Sequence, residues 1–107
     1  MARPPRISVV VPNYNHAAYV AQALAGILNQ TRPPDEVIVI DDASTDDSLR
    51  VIEQAIAERP EVQLVRRTQN QGVIAALNEG VARATGDLVG LYAADDVLFP
   101  DFLAEQE

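Results

Sequence analysis

Two pairs of adjacent aspartates stand out among the polar residues of this 107-residue chain. The carboxylates of Asp95 and Asp96 repel each other, so the pair is stable where a cation or bulk water screens the charge. Mg²⁺ or Mn²⁺ would supply that charge, held by one or two carboxylates and completed by phosphate oxygens and waters. The alternative is a solvated loop that caps a helix beginning near Pro100.

The second pair, Asp41 and Asp42, directly follows an apolar run. It is typical of an Asx turn at the end of a buried strand, and also of a carboxylate that contacts a base or a ribose. Tyr14 lies in a loop bounded by proline and asparagine, where its ring could stack on a nucleobase or cover the core. Asp46 and Asp47 are assigned to the start of a helix, where negative charge is favourable.

The composition narrows the possible chemistry. All eight basic residues are arginine, which excludes a lysine Schiff base or a P-loop lysine within this chain. Cysteine is absent and His16 is the only histidine, so a metal site must use oxygen ligands, which suit Mg²⁺ or Mn²⁺. His16 itself is assigned to a loop without a catalytic role. The net charge of −8 excludes sequence-independent nucleic-acid binding, which needs a basic surface.

Four short apolar runs predict the strands that position these residues, at 7–11, 37–40, 62–65 and 88–92. Three segments with helical spacing lie between them, and this alternation predicts an α/β fold with a parallel sheet and helices on both faces. The predicted inward faces are Val20, Leu24, Ile27 and Leu28, then Leu49, Ile52 and Ile56, then Ile74, Leu77 and Val81. Ser44 or Thr45 is predicted to cap the second helix, and Gly86 to end the third.

The unusual polar residues follow the carboxyl ends of the predicted strands, where open α/β sheets bind their ligands. The sequence has neither the G-x-G-x-x-G motif of dinucleotide-binding dehydrogenases nor the G-x-x-x-x-G-K-[ST] motif of P-loop enzymes. A phosphate site in this chain must therefore rely on a metal ion, which favours the metal interpretation of Asp95 and Asp96.

Several short blocks occur together in a fixed order. They are V-V-V-P-N-Y-N at 9–15, L-N-Q-T at 28–31, E-V-I-V-I-D-D-A-S-T-D at 36–46, N-x-G-x-x-x-A-x-N-x-G at 70–80, A-T-G-D at 84–87 and A-D-D-x-x-x-P at 94–100. In this order the chain resembles the opening of the family 2 glycosyltransferases of GT-A fold. The resemblance implies a Rossmann-like nucleotide-binding half with a four-stranded parallel sheet of order 3-2-1-4.

The resemblance also implies a role for each matching residue. Pro12 and Tyr14 would line a base pocket, with Tyr14 stacked on the base, and Asp42 would accept a hydrogen bond from it. Asp95 would face the ribose or the sugar, and Asp96 would bind the divalent metal (Mn or Mg) that bridges the diphosphate. The sequence departs from the family pattern at Ala93, where an acid is frequent, and at Leu77, where arginine is frequent.

The implied reaction is inverting transfer of a sugar from a nucleotide-diphosphate donor, with a UDP-sugar favoured, to an acceptor hydroxyl on a saccharide or lipid-linked molecule. Residues 1–107 would form a single nucleotide-diphospho-sugar-binding domain, truncated before the acceptor half, with the general base beyond residue 107. The alternative is a non-catalytic GT-A-like module that serves assembly or regulation. The sequence predicts no membrane span, a location in the cytoplasm or against the inner face of the membrane, and a surface that could support a homo-oligomer.

Overall fold

Strands and helices alternate along the chain in the predicted order. The computed structural model describes residues 5–30 and 33–91; the predictions that concern Ala93, Asp95, Asp96 and Pro100 therefore lie outside the described residues. The strands are β1 (Ile7–Asn13), β2 (Glu36–Asp41), β3 (Val62–Arg66) and β4 (Leu88–Leu91), and the helices are α1 (Ala17–Leu28), α2 (Ser48–Ala55) and α3 (Val73–Arg83).

The four strands form one parallel sheet of order β3-β2-β1-β4, as predicted. The chain adds β2 and β3 on one side of β1 and then returns to place β4 on the other side, so the order reverses at β1. All seven residues of β1 are buried. Its β-branched composition suits a strand that is covered on both faces.

Each face of the sheet carries its own hydrophobic cluster. On one face α1 and α2 cover the odd-numbered valines of the two central strands, and on the other α3 covers the alternate positions through Ala76. The apolar runs predicted a core that includes Val9, Val11, Val37, Val39 and Leu88. The four valines are fully buried, and Leu88 is partly buried against the first cluster. The strands lead into loops at their carboxyl ends, and this end of the sheet is called the carboxyl edge.

Helix α3 faces the sheet differently from the prediction. The sequence spacing predicted an inward face made of large residues, Ile74, Leu77 and Val81. In the structure Ile74 is 68% exposed and Val81 46% exposed, whereas Ala76 and Gly80 are buried. A Cβ atom on Gly80 would overlap Cγ1 of Val10. Leu77 is partly buried against the second cluster, so the prediction is wrong for Ile74 and Val81 only. At Ala76 and Gly80 the helix lies close to the sheet, and small residues make the contact.

The amino ends of the strands are joined by carboxylates. Asp35 accepts the backbone N–H of Ile7 at 2.7 Å, and Asp87 accepts that of Arg6 at 2.8 Å. Glu36 Oε1 accepts Ser8 Oγ at 2.7 Å. These contacts fix the order β2-β1-β4 at the edge opposite the predicted site.

Gly86 belongs to this edge and does not end α3, because the helix stops at Arg83 and Gly86 has no positive φ. Gly86 N–H donates to Ser8 Oγ at 2.9 Å, and an added Cβ would lie 2.6 Å from that oxygen. Thr85 N–H donates to Glu36 at 2.9 Å. Burial opposes ionisation of Glu36, but the hydrogen bonds from Thr85 and Ser8 outweigh it and lower the pKa of Glu36 below 4.5.

Candidate functional site

The loops after β1 and β2 leave the sheet side by side. Asn13 pairs with Asp41 in the sheet register, and the N–H of Asp42 donates to the carbonyl oxygen of Asn13 at 2.9 Å. Tyr14 and Asp42, the next residues on each side, therefore lie at the same place on the carboxyl edge. Tyr14 is 42% exposed, whereas Asp42 is 3% exposed and Pro12 is buried within β1.

Asp41 has a structural role. Its side chain is fully buried, and it accepts the backbone N–H of Ser44 at 3.0 Å and the hydroxyl of Ser44 at 2.7 Å. Asn13 Nδ2 donates to the same carboxylate at 3.0 Å. The Asx-type turn predicted for the aspartate pair is thus confirmed for Asp41. The carboxylate of Asp42 instead contacts the loop before α3.

The loop that carries Tyr14 is fastened on both sides. Asn15 N–H donates to Ser44 Oγ at 3.0 Å, and Asn15 Oδ1 accepts the N–H of Thr45 at 2.8 Å. Asn15 and Ala43 both adopt the left-handed backbone region, with φ of 55° and 62°. The two sharp turns bring the loops together, so the backbone of Tyr14 is held between two anchored asparagines.

Asp46 stabilises the starts of two helices at once. Its Oδ2 accepts the N–H of Ala17 in the first turn of α1 at 3.1 Å, and its Oδ1 accepts the N–H of Ser48 at 2.8 Å. Burial opposes ionisation, but the hydrogen bonds from Ser48 and Ala17 outweigh it and lower the pKa of Asp46. The predicted role of Asp46 at a helix start is confirmed and extends to α1 as well as α2.

The start of α2 differs from the prediction by a few residues. The helix begins at Ser48 after Asp47, so neither Ser44 nor Thr45 is its cap. Their hydroxyl and backbone groups are used instead in the loop contacts with Asp41 and Asn15 described above. His16 precedes α1, and its carbonyl oxygen accepts the first helical N–H groups; its predicted position in a loop is confirmed.

Asp42 connects the end of β2 to the start of α3. Its carboxylate accepts the N–H of Gly72 at 2.8 Å and that of Gln71 at 3.1 Å, and Arg67 Nη1 lies 3.4 Å from Oδ1. A carboxylate offers about four acceptor positions. Three donors occupy the carboxylate of Asp42, and the N–H of Gln71 contacts both of its oxygens. Negative charge is also favourable at the N-terminus of α3.

Arg67 is held by acceptors from two other elements. Its Nε donates to Glu79 Oε1 at 2.8 Å and its Nη2 to the carbonyl oxygen of Ala75 at 3.4 Å, besides the contact with Asp42. Arg83 Nε holds the second oxygen of Glu79 at 3.1 Å. The bonds from Arg67 and Arg83 outweigh burial and lower the pKa of Glu79, and Glu79 in turn raises the pKa of Arg67.

A polar cavity of about 360 Å³ lies beside this network. Its lining combines the end of β3, the following loop and the outer side of α3, and includes Arg66, Arg67, Gln69, Gln71, Glu79 and Arg83. Three of the eight arginines of this acidic chain meet here.

The sequence also matches a known protein family. The family model for glycosyl transferase family 2 matches residues 8–106. The chain belongs to glycosyl transferase family 2. The four-stranded sheet and its three helices accordingly belong to a GT-A fold.

This family 2 chain is similar to proteins of known structure. It superposes on the mannosyltransferase PcManGT from Pyrobaculum calidifontis, solved with GDP-Man and Mn²⁺, with a TM-score of 0.86 and 36% identity, over 95% of this chain and 31% of that one. For S. aureus TarS in complex with UDP-GlcNAc the TM-score is 0.84 and the identity 28%, over 94% and 30%. An uncharacterized glycosyltransferase from Nostoc sp. is 41% identical over 95 residues, 89% of this chain and 30% of the relative. The family 2 chain thus spans about 30% of the length of these relatives.

Among the predicted site residues of this family 2 chain, Pro12 lies in β1, and Tyr14 and Asp42 directly follow β1 and β2. Within residues 5–30 and 33–91, no group of three histidine, aspartate or glutamate side chains could hold a metal ion. Asp95 and Asp96 lie outside the described residues, so the metal site stays a prediction. None of the three described helices is long and apolar enough to cross a bilayer.

Sequence reasoning missed Arg67, Glu79 and the N–H groups of Gln71 and Gly72. Arg67 and Gly72 lie 25 and 30 positions from Asp42, and Glu79 lies 12 positions from Arg67, so no local pattern predicts these contacts. The available signal was the position of an arginine directly after a strand, next to the strand that ends in Asp42.

Proposed function

We propose that this chain is the donor-binding part of a glycosyltransferase and holds a nucleotide-diphosphate sugar at the carboxyl edge. The observation that carries the proposal is that a half-exposed Tyr14 and a buried Asp42 follow the ends of the adjacent strands β1 and β2. The solved mannosyltransferase with GDP-Man and TarS with UDP-GlcNAc support it, because both share this fold at 28–36% identity.

The base would lie on the ring of Tyr14 and donate an N–H to Asp42. Uracil and guanine both carry a ring N–H suited to an ionised carboxylate acceptor. We favour a UDP-sugar as the donor. The ring of Tyr14 would contribute stacking, and the anchored loop around it would reduce the entropy lost when the base binds.

Transfer would invert the anomeric carbon of the sugar. The acceptor hydroxyl oxygen forms the new bond to that carbon as the bond to the diphosphate oxygen breaks on the opposite face. The proton of the hydroxyl passes to a general base outside the chain described here. Asp95 would contact the ribose or sugar, and Asp96 would hold Mn²⁺ or Mg²⁺; when bound, the ion offsets the negative charge of the departing diphosphate.

The base pocket is tested by titrating UDP in the presence of Mn²⁺ into wild type and Tyr14→Ala by calorimetry. Loss of the stacking surface should weaken binding by about 1–3 kcal/mol. Tyr19→Ala is the matched control, since it removes an exposed tyrosine from α1 and should leave the affinity unchanged. Equal affinities for wild type and Tyr14→Ala would contradict the pocket. A wild type that binds GDP in place of UDP would contradict the UDP-sugar donor, and one that binds neither nucleotide would favour the non-catalytic module.

The metal assignment is tested with Asp96→Asn, which keeps the shape of the side chain and removes its charge. We expect the variant to lose the Mn²⁺-dependent part of UDP affinity while its circular dichroism stays unchanged, because the diphosphate would otherwise meet carboxylates directly. Titration in EDTA gives the metal-free reference for both proteins. If wild type binds UDP equally well in EDTA and in Mn²⁺, Asp95 and Asp96 belong to a solvated turn.

A further inference from the structure

We infer that Arg67 and Glu79 are positioning residues that fix the orientation of the Asp42 carboxylate toward the bound base. The inference rests on the proposed function, since it concerns the carboxylate that would accept the N–H of the base. Its starting point is a continuous chain of ion pairs, Arg83–Glu79–Arg67–Asp42, that runs from the outer side of α3 to the end of β2.

The guanidinium of Arg67 is fixed by three acceptors. It contacts Asp42, Glu79 and the carbonyl oxygen of Ala75, and only 14% of its side chain is exposed. Because the group is planar, acceptors at Nε and Nη2 also set the direction of Nη1. Nη1 is the atom that reaches Asp42 Oδ1. The position of Glu79 on α3 therefore determines where Arg67 meets Asp42.

Arg67 also separates two negative charges. The side chains of Asp42 and Glu79 are only 4% and 27% exposed, and both contact the same guanidinium. Without Arg67 these carboxylates would repel each other with little water between them. Asp42 would then be held only by the backbone N–H groups of Gln71 and Gly72, which are its remaining donors.

The orientation of the Asp42 carboxylate follows from the donors that are present. Gln71 and Gly72 approach Asp42 from the start of α3, and Arg67 approaches Oδ1 from the end of β3. Removing one of three donors changes the carboxylate orientation without removing the carboxylate. The effect of Arg67 on binding should thus be confined to the base and should leave the diphosphate contacts unchanged.

The test compares Arg67→Gln with Arg66→Gln, its neighbour, whose side chain is 61% exposed and reaches Glu53 instead. Each full chain is titrated with UDP and separately with inorganic pyrophosphate, both with Mn²⁺. Arg67→Gln should weaken UDP binding about tenfold, the size of one hydrogen bond to a charged group, and leave pyrophosphate binding unchanged. Arg66→Gln should change neither. Arg67→Lys should not restore UDP affinity, because a lysine cannot contact three acceptors in one plane.

Equal UDP affinity of wild type and Arg67→Gln, parallel loss of UDP and pyrophosphate binding, or full rescue by lysine would each overturn the inference. The ligand-free protein gives a second readout, the NMR signals of the Gln71 and Gly72 amide protons. They should shift in Arg67→Gln and in Glu79→Gln but not in Arg66→Gln; unchanged signals would overturn the inference as well. If wild type binds neither UDP nor GDP, the proposed function falls, and the amide signals alone decide whether Arg67 orients Asp42.

Discussion

Ala43 adopts a backbone conformation that alanine rarely takes. Its φ of 62° places it in the left-handed region directly after Asp42, where a Cβ atom costs about 1–2 kcal/mol. Asn15, across the site, has a φ of 55°, but its side chain is bonded to Thr45 and the N–H that follows. The same backbone region is thus compensated at Asn15 by hydrogen bonds that Ala43 cannot make.

Ala43→Gly should therefore stabilise the fold by about 0.5–1 kcal/mol. The relief of left-handed strain exceeds the extra unfolded-state entropy of glycine, which is about 0.5–1 kcal/mol. The measurement is the free energy of unfolding in urea. Asn15→Gly is the matched control, and it should be destabilising because it removes the hydrogen bonds to the next loop. A destabilised Ala43→Gly would contradict the argument.

The positions of individual site residues were predicted from the sequence only in part. Tyr14 and Asp42 were predicted to share the carboxyl edge, because the ends of parallel strands meet there, and the structure confirms this position. Arg67 could not be predicted in the same way, since its partners Asp42 and Glu79 lie 25 and 12 residues away and are brought near only by the packing of α3. Local patterns predict where strands end, whereas contacts between helix and loop depend on tertiary distances.

Among the elements, α3 shows most clearly how a close contact overrides spacing. Apolar spacing placed large residues inward, but the backbone approaches the sheet through Ala76 and Gly80. The periodicity of α1 was confirmed, because Val20, Leu24 and Ile27 are fully buried. The hydrophobic pattern predicts that α3 forms. The small residues Ala76 and Gly80 determine which side of the helix faces the sheet.

Gly80→Ala should consequently destabilise the protein by about 1–3 kcal/mol, because the added methyl group overlaps Val10 in a packed interior. Gly26→Ala in α1 is the control, since an added Cβ there meets nothing within 4 Å. That control should be stabilising by about 0.5–1 kcal/mol through helix propensity. Thermal unfolding of both variants beside wild type distinguishes them. A rise in the melting temperature of Gly80→Ala, as expected for Gly26→Ala, would refute the close contact.

Across the whole molecule, carboxylates join the strands at the amino edge of the sheet. Glu36 joins Ser8 of β1 to Thr85 before β4, and its pKa is lowered below the ordinary 4.5. A carboxylate whose folded pKa is depressed contributes stability above its unfolded pKa and loses it as the pH falls through the folded value. The contribution of Glu36 is therefore present at neutral pH and declines below 4.5.

Glu36→Gln should lower the free energy of unfolding by about 1–2 kcal/mol at neutral pH, because charge-assisted bonds to Ser8 and Thr85 are weakened. The difference from wild type should narrow as the pH falls below 4.5. Urea denaturation at several pH values measures both curves. Glu58→Gln, at an exposed position, removes the same charge and should give a curve parallel to wild type. Parallel curves for Glu36→Gln would show that the amino edge does not depend on that charge.

The central place of β1 has a consequence for how the chain acquires its structure during synthesis. Strand β1 is made first, yet its partner Leu88 in β4 lies 81 residues after Ile7 (88 − 7). At a translation rate of about 5–20 residues per second, one edge of β1 stays open for roughly 4–16 seconds after it is made. Tyr14, Asp42 and Gly72 all precede β4, so a nascent chain can assemble the rim of the site before the sheet is complete. During that interval the open edge of an apolar strand is where another nascent chain could pair.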